Sequence, residues 1–142
     1  MILHAGLIAC RLAGFWRGVL ITGPSGTGKS DLAMRMLERG YRLVADDRTV
    51  VWLSGGKLYG KPTQALHGLI EARGLGVVAE TAIAFSSIAL ICDCTPGPVE
   101  RAPENQAETV LGVTLPRIRL AAVEPSAPAK IGRALMHLGA GE

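Results

Sequence analysis

The sequence predicts an α/β fold: a P-loop nucleotide-binding domain on a mixed, twisted sheet with β-hairpins. Three observations carry this. The run Gly23-Pro24-Ser25-Gly26-Thr27-Gly28-Lys29-Ser30 lies between an apolar stretch and an amphipathic one. A strand-like segment follows soon after and ends on Asp46-Asp47. Two short runs split by Ser54-Gly55-Gly56 then mark a hairpin. At 142 residues one domain is expected, spanning 1–142.

Taken in order, residues 2–10 (ILHAGLIAC) read as a strand and 11–17 as a turn around Gly14. Residues 18–22 (GVLIT) form a short apolar run of the kind found in a buried strand. A helix follows the glycine-rich loop. Ser30 and Asp31 open it, Leu32, Met36 and Leu37 supply the apolar face, and Gly40 closes it. The next strand is RLVA at 42–45. The segments 49–53 and 57–59 form the hairpin, 62–67 a helical turn, and 69–71 a strand end running into Arg73-Gly74-Leu75-Gly76. Residues 87–94 (SIALICDC) read as a core strand, 95–106 as a loop, 109–120 as two short strands around Gly112 and Pro116, and 129–138 as a final helix.

Composition narrows the function. Aromatic residues are 4% of the chain, which disfavours base stacking and a nucleic-acid partner. A net charge of +3 is mild, and its lysines and arginines are scattered; a solvated surface and a face for acidic proteins fit equally well. No run approaches the 18 or so uncharged apolar residues of a membrane span. Leu7-Ile8-Ala9-Cys10 superficially resembles a lipoprotein cleavage box but has no positive segment before it. Neither membrane attachment nor export is therefore expected, and a cytoplasmic location is. Cys10, Cys92 and Cys94 are too few for a disulfide framework and read as structural thiols.

The loop 23–30 matches G-x-x-x-x-G-K-[ST] with a strand before it and a helix after it, the context the pattern requires. Its glycines allow backbone N–H groups to turn inward around an anion, and the helix N-terminus adds partial positive charge. Lys29 supplies a full charge for the β- and γ-phosphates of a nucleotide, and Ser30 offers a hydroxyl to Mg²⁺. Asp46 and Asp47 are the candidate second acids. On an extended chain adjacent side chains point to opposite sides, so one faces a metal and the other an attacking hydroxyl. An Asx turn leading into the hairpin is the alternative.

Three blocks, G-P-S-G-T-G-K-S-D, R-G-Y-R-L-V-A-D-D-R and I-E-A-R-G-L-G-V-V, resemble the bacterial HPr kinase/phosphorylase family. The resemblance is greatest to the short α-proteobacterial form that carries only the C-terminal catalytic domain. It runs from about His4 to about Leu120. It implies a protein-serine kinase that uses ATP and Mg²⁺ to phosphorylate the phosphocarrier HPr or an HPr-like protein. By matching motifs, it implies that Lys29 binds phosphate, Ser30 ligates magnesium, Asp47 accepts the proton, Glu71 is the other metal-binding acid, and His4 and Arg101 are catalytic. Read from the residues alone, His4 also suits a hydrogen-bonded core histidine, Glu71 a surface acid and Arg101 a solvated loop. His67 and His137 read as structural or surface residues.

The chain also departs from the pattern. It starts almost at the residue matching the family's histidine, so the N-terminal regulatory domain of full-length members is not expected. Their basic glycine-arginine-asparagine loop is replaced by Glu124-Pro125-Ser126-Ala127-Pro128-Ala129-Lys130. Most of the C-terminal helices that the resemblance implies, which help to dock HPr and build a hexamer, are not expected either. The expectation is a kinase without assured phosphorylase activity, with homo-oligomerisation open. A small-molecule kinase and a nucleotide-binding regulatory module without catalysis are the competing expectations.

Overall fold

The computed structural model describes residues 1–101 and 103–139. Its strands are β1 (Ile2–Leu3), β2 (Gly6–Leu12), β3 (Phe15–Thr22), β4 (Arg42–Ala45), β5 (Thr49–Ser54), β6 (Lys57–Pro62), β7 (Leu69–Ala72), β8 (Gly76–Ala79), β9 (Ser86–Cys94), β10 (Gln106–Val110) and β11 (Val113–Leu120). Its helices are α1 (Lys29–Leu37) and α2 (Ala127–Leu138), with one 3₁₀ turn at Gln64–Leu66. Nine strands form one mixed sheet in the order β1-β5-β6-β9-β3-β2-β4, with β11 on β9 and β10 on β11; β7 and β8 form a separate ribbon.

Three hairpins share one local solution. Of the two-residue turns that follow strand twist, type I′ has positive φ at both positions. Ala13-Gly14, Gly55-Gly56 and Leu111-Gly112 all meet this, with φ of 54° and 83°, 57° and 78°, and 49° and 82°. The span 11–17 is thus not a loose turn. Strands β2 and β3 run through it to the two-residue connection, pairing Leu12 with Phe15.

Other boundaries also shift. The apolar run 2–10 is two strands, because the chain bends at His4: β1 pairs with β5, whereas β2 pairs with β3 and β4. Pro116 does not divide 109–120. It lies inside β11 opposite Ala107, where the strand pairs with β10 alone, and proline is tolerated in a strand with one open side. Strand β10 reaches back to Gln106, which had read as the end of a loop.

Strands β3 and β9 run parallel, with Thr22 opposite Asp93, and β9 runs parallel to β11. Both faces of the central strands are covered, which explains their continuous apolar sequence. One face buries Ile8, Val19, Ile21, Leu90 and Cys92 beneath Leu32 and Met36 of α1 and Ile131 and Leu135 of α2. The other buries Leu7, Leu20 and Ile91 against Val51, Leu58 and Leu115 from the hairpins. Helix α1 stops where Tyr41 N–H bonds the Met36 carbonyl and Gly40 N–H bonds the Leu37 carbonyl, with Gly40 at φ 91°. That is the Schellman arrangement, which satisfies the last carbonyls of the helix. The Arg35 guanidinium donates to the carbonyls of Ala122 and Glu124, fastening the turn before α2 onto α1.

Candidate functional site

The glycine-rich loop leaves the C-terminal end of β3 and delivers the chain into α1. Gly23, Gly26 and Gly28 have φ of 134°, 83° and 92°, conformations that side-chain-bearing residues rarely adopt. A Cβ at Gly23 would also collide with the Cys94 carbonyl of the neighbouring strand. Thr27 Oγ1 donates to the Pro24 carbonyl at 2.7 Å. Lys29 Nζ donates to the carbonyls of Gly23 and Pro24 at 2.6 and 3.1 Å. The lysine charge thus lies against the loop itself, at the N-terminus of α1.

Asp46 and Asp47 divide as their adjacent positions suggest. Asp46 is buried. Its Oδ1 accepts from Ser30 Oγ at 2.8 Å and its Oδ2 from the Glu71 backbone N–H at 2.9 Å. Asp47 is half exposed, and its Oδ1 lies 2.7 Å from His4 Nε2. The separation does not come from strand alternation alone. Asp47 lies just past β4 with φ 68°, a left-handed conformation that aspartate tolerates better than most residues. His4 is exposed at the β1–β2 bend, so the core-histidine alternative does not apply.

Ser25, Gly26, Lys29, Ser30, Asp47, Glu71 and Arg73 line a cleft of about 320 Å³ beside the loop. A smaller cleft of about 220 Å³ adjoins it and shares Ser30, Asp47 and Glu71, with Asp46 in its wall. Larger hollows lie elsewhere on the molecule. The two adjoining clefts are the candidate site on chemistry, not size: together they join a helix N-terminus, Lys29 and Ser30 to Asp46, Asp47 and Glu71. Among the described residues no three His, Cys, Asp or Glu side chains converge on one point as a ready-made metal cage. A hydroxyl with one or two nearby carboxylates suits Mg²⁺, which keeps several waters and takes further oxygens from phosphates.

Arg101 does not reach this cleft. It is exposed and lines a different hollow, with β11 and α2. Its neighbour Ala102 lies outside the described residues. Arg73 was not singled out in the sequence, yet it lines the loop cleft; its signal was its place two residues after Glu71. Asp93, next to last in β9, is not in the wall of the loop cleft; it accepts from Thr22 Oγ1 at 3.2 Å and pairs with Arg117 at 2.8 Å. Cys92 and Cys94 are buried free thiols. A hydrogen bond between them pushes the Cys94 thiol down, helped by the Lys29 charge, and pushes Cys92 up.

Fold and site together define a class: a mixed α/β domain that sets a glycine-rich strand–loop–helix unit against paired carboxylates. Residues 3–88 match the HPr Serine kinase C-terminal domain, and the chain belongs to that family. His4, the loop, Asp46, Asp47 and Glu71 fall inside the match; Arg101 falls outside it. The HPr kinase/phosphorylase of Streptococcus thermophilus is 38% identical over 129 residues, covering 82% of this chain and 40% of the relative. That of Clostridium tetani is 48% identical over 61 residues, covering 43% of this chain and 20% of the relative. The chain therefore spans well under half the length of these relatives. The solved Hpr(Ser) kinase/phosphatase from Coxiella burnetii superposes with a TM-score of 0.80 at 23% identity, covering 96% of this chain and 88% of that one, a likeness of fold.

Proposed function

We propose that this domain is an ATP- and Mg²⁺-dependent protein-serine kinase that phosphorylates HPr or an HPr-like phosphocarrier. The observation that carries the reading is the division of two adjacent acids at the loop. Asp46 is buried and tied to Ser30, while Asp47 faces the cleft and is held by His4.

The residues present fit both ligands. The positive-φ glycines and the start of α1 offer an anion cradle, and Lys29 and Arg73 add positive charge. Ser30, Asp46 and Glu71 would hold the metal. Bound Mg·ATP supplies the γ-phosphoryl group and the metal charge that neutralises it. Asp47 takes the proton from the incoming serine hydroxyl as its oxygen attacks. His4 fixes the rotation of that carboxylate through Oδ1, and Oδ2, 3.8 Å from the Arg48 Nε, is the proton acceptor. Catalysis of this kind is mostly positioning and charge stabilisation.

The proposal covers the kinase direction only. Residues 124–130 contain a single basic residue, and Lys130 is paired with Glu124 at 2.8 Å. An HPr acceptor puts the domain in the cytoplasm; no helix among the described residues is long and apolar enough to cross a membrane. Assembly into a homo-oligomer goes with the family reading. The test is a transfer assay with γ-labelled ATP, Mg²⁺ and the HPr of the same organism. Label on an HPr serine that disappears with Lys29→Ala supports the proposal. Nucleotide binding with no label on HPr would overturn it in favour of a metabolite acceptor or a regulatory module.

A further inference from the structure

At the end of the sheet away from the loop, a cleft of about 790 Å³ opens between the β2–β3 hairpin and the C-terminal ends of α1 and α2. Strand β3 runs from Trp16 in this cleft to Thr22 at the loop, roughly 20 Å at the usual strand rise. Five of the lining side chains are basic: Arg11, Arg39, Arg42, Arg133 and His137, all exposed. Among the described residues none that lines the cleft is acidic. Glu38, next to Arg39 in sequence, is not among them.

Helix ends account for only part of this. Cations are favoured at helix C-termini, which explains Arg39 and His137 but not Arg133, which lies in the middle of α2. Arg11 and Arg42 lie on β2 and β4, where no helix dipole calls for them. Arg11 donates to the Gly14 carbonyl at 2.9 Å and lies 5.7 Å from the centre of the Trp16 ring. It is held at the cleft wall instead of extending into water. Like charges gathered without counter-charges destabilise a fold, so such a cluster points to an anionic partner.

The walls add specificity. Leu12, Trp16 and Met136 line the same cleft, and Met136 is 67% exposed. A concave surface combining guanidinium groups with an indole and a thioether takes in side chains, where a membrane would be met by protruding apolar tips. We propose that this cleft docks an acidic segment of a partner protein that carries apolar side chains. Carboxylates of the segment pair with the arginines, and its apolar residues pack on Trp16 and Met136. The proposal is independent of the chemistry assigned to the loop.

The test uses a fluorescein-labelled 16-residue peptide of repeating Glu-Glu-Leu-Glu and the full chain, read by anisotropy. Saturable binding is expected, weakened tenfold or more by Arg42→Glu with Arg133→Glu. The control pair Lys57→Glu with Lys61→Glu shifts net charge equally at a different place and should leave affinity within about twofold. In a Trp52→Phe background Trp16 is the remaining tryptophan, and its emission should shift on binding. Circular dichroism confirms that each variant is folded, and Arg42→Gln with Arg133→Gln repeats the test without reversing charge. Absence of binding, equal loss in both charge-reversal pairs, or binding to phosphatidylglycerol vesicles or single-stranded RNA in place of the peptide would each overturn the proposal.

Discussion

His4 Nε2 and Asp47 Oδ1 lie 2.7 Å apart across 43 residues of sequence, at the edge of the cleft beside the glycine-rich loop. The contact exists because the chain bends between β1 and β2 and because Asp47 takes a left-handed conformation just past β4. Two local departures from regular strand bring one base-like pair together.

Asp47→Asn should lower phosphoryl transfer to HPr by roughly 10²- to 10⁴-fold, the usual contribution of a positioned proton acceptor. Nucleotide affinity should change little, because the phosphates are held by the loop. Transfer rates and fluorescent-nucleotide titration measure the two separately. Normal turnover with lost nucleotide affinity would contradict the assigned role.

His4→Ala should act through Asp47 and not through the nucleotide. A fall in kcat at nearly constant KM for ATP is expected, with His4→Gln recovering part of the rate by offering Asp47 a donor in a similar place. A rise in KM for ATP alone would place His4 in nucleotide binding instead.

Asp46→Ala should cost stability as well as activity. It leaves the Ser30 hydroxyl and the Glu71 N–H without their acceptor, about 1–3 kcal/mol for each group that stays buried and unpaired. Ser30→Ala, which removes only one hydroxyl, should raise the Mg²⁺ concentration needed for half-maximal rate with a smaller change in melting temperature. Equal effects of the two variants on melting would argue against Asp46 as the joint between the loop helix and β7.

Gly23→Ala should abolish nucleotide binding while leaving a folded chain. It places a side chain at φ 134° and against the Cys94 carbonyl. Gly26→Ala meets only open space and should be milder, since its cost is the positive φ of 83° alone. Isothermal titration with ATP ranks the two.

Alkaline pH gives a prediction independent of catalysis. Burial raises the Tyr41 hydroxyl above its ordinary value of 10.0 and the Cys10 thiol above 9.0. In that range the unfolded chain gives up these protons first, so the contribution of these two groups to stability falls as pH rises from about 9. Tyr41→Phe should flatten the decline in denaturation midpoint between pH 9 and 11.

Much of this arrangement is legible in the sequence, for identifiable reasons. The loop 23–30 and the helix after it are local, and glycine, lysine and serine in that order leave little freedom. The pair Asp46-Asp47 stands out because a short strand ends there. What escapes is non-local. The bend at His4 carries no glycine or proline of its own; it follows from β1 joining β5 while β2 joins β3. The ribbon of β7 and β8 is hidden because it pairs across the very glycines that read as a loop. Asp93 looks like one residue of a core strand until the parallel partner β3 is known to end beside it. Arg101 shows the reverse: a motif match in sequence, with a place in the structure away from the loop cleft.

Asp46 joins the first turn of α1 to a backbone amide 25 residues later, and β3 is flanked by a parallel strand that starts more than 60 positions further on. Parallel pairing at such separations closes long loops before any contact rewards them, and it is slow. On the proposed function, nucleotide binding is expected to be acquired late on the folding route, after the β2–β3 hairpin and α1 have formed. During synthesis, an emerging chain that has released the glycine-rich loop but not yet β9 holds the recognition sequence without the parallel strand whose Cys94 carbonyl packs against Gly23. ATP binding would then serve as a readout that the last central strand has docked.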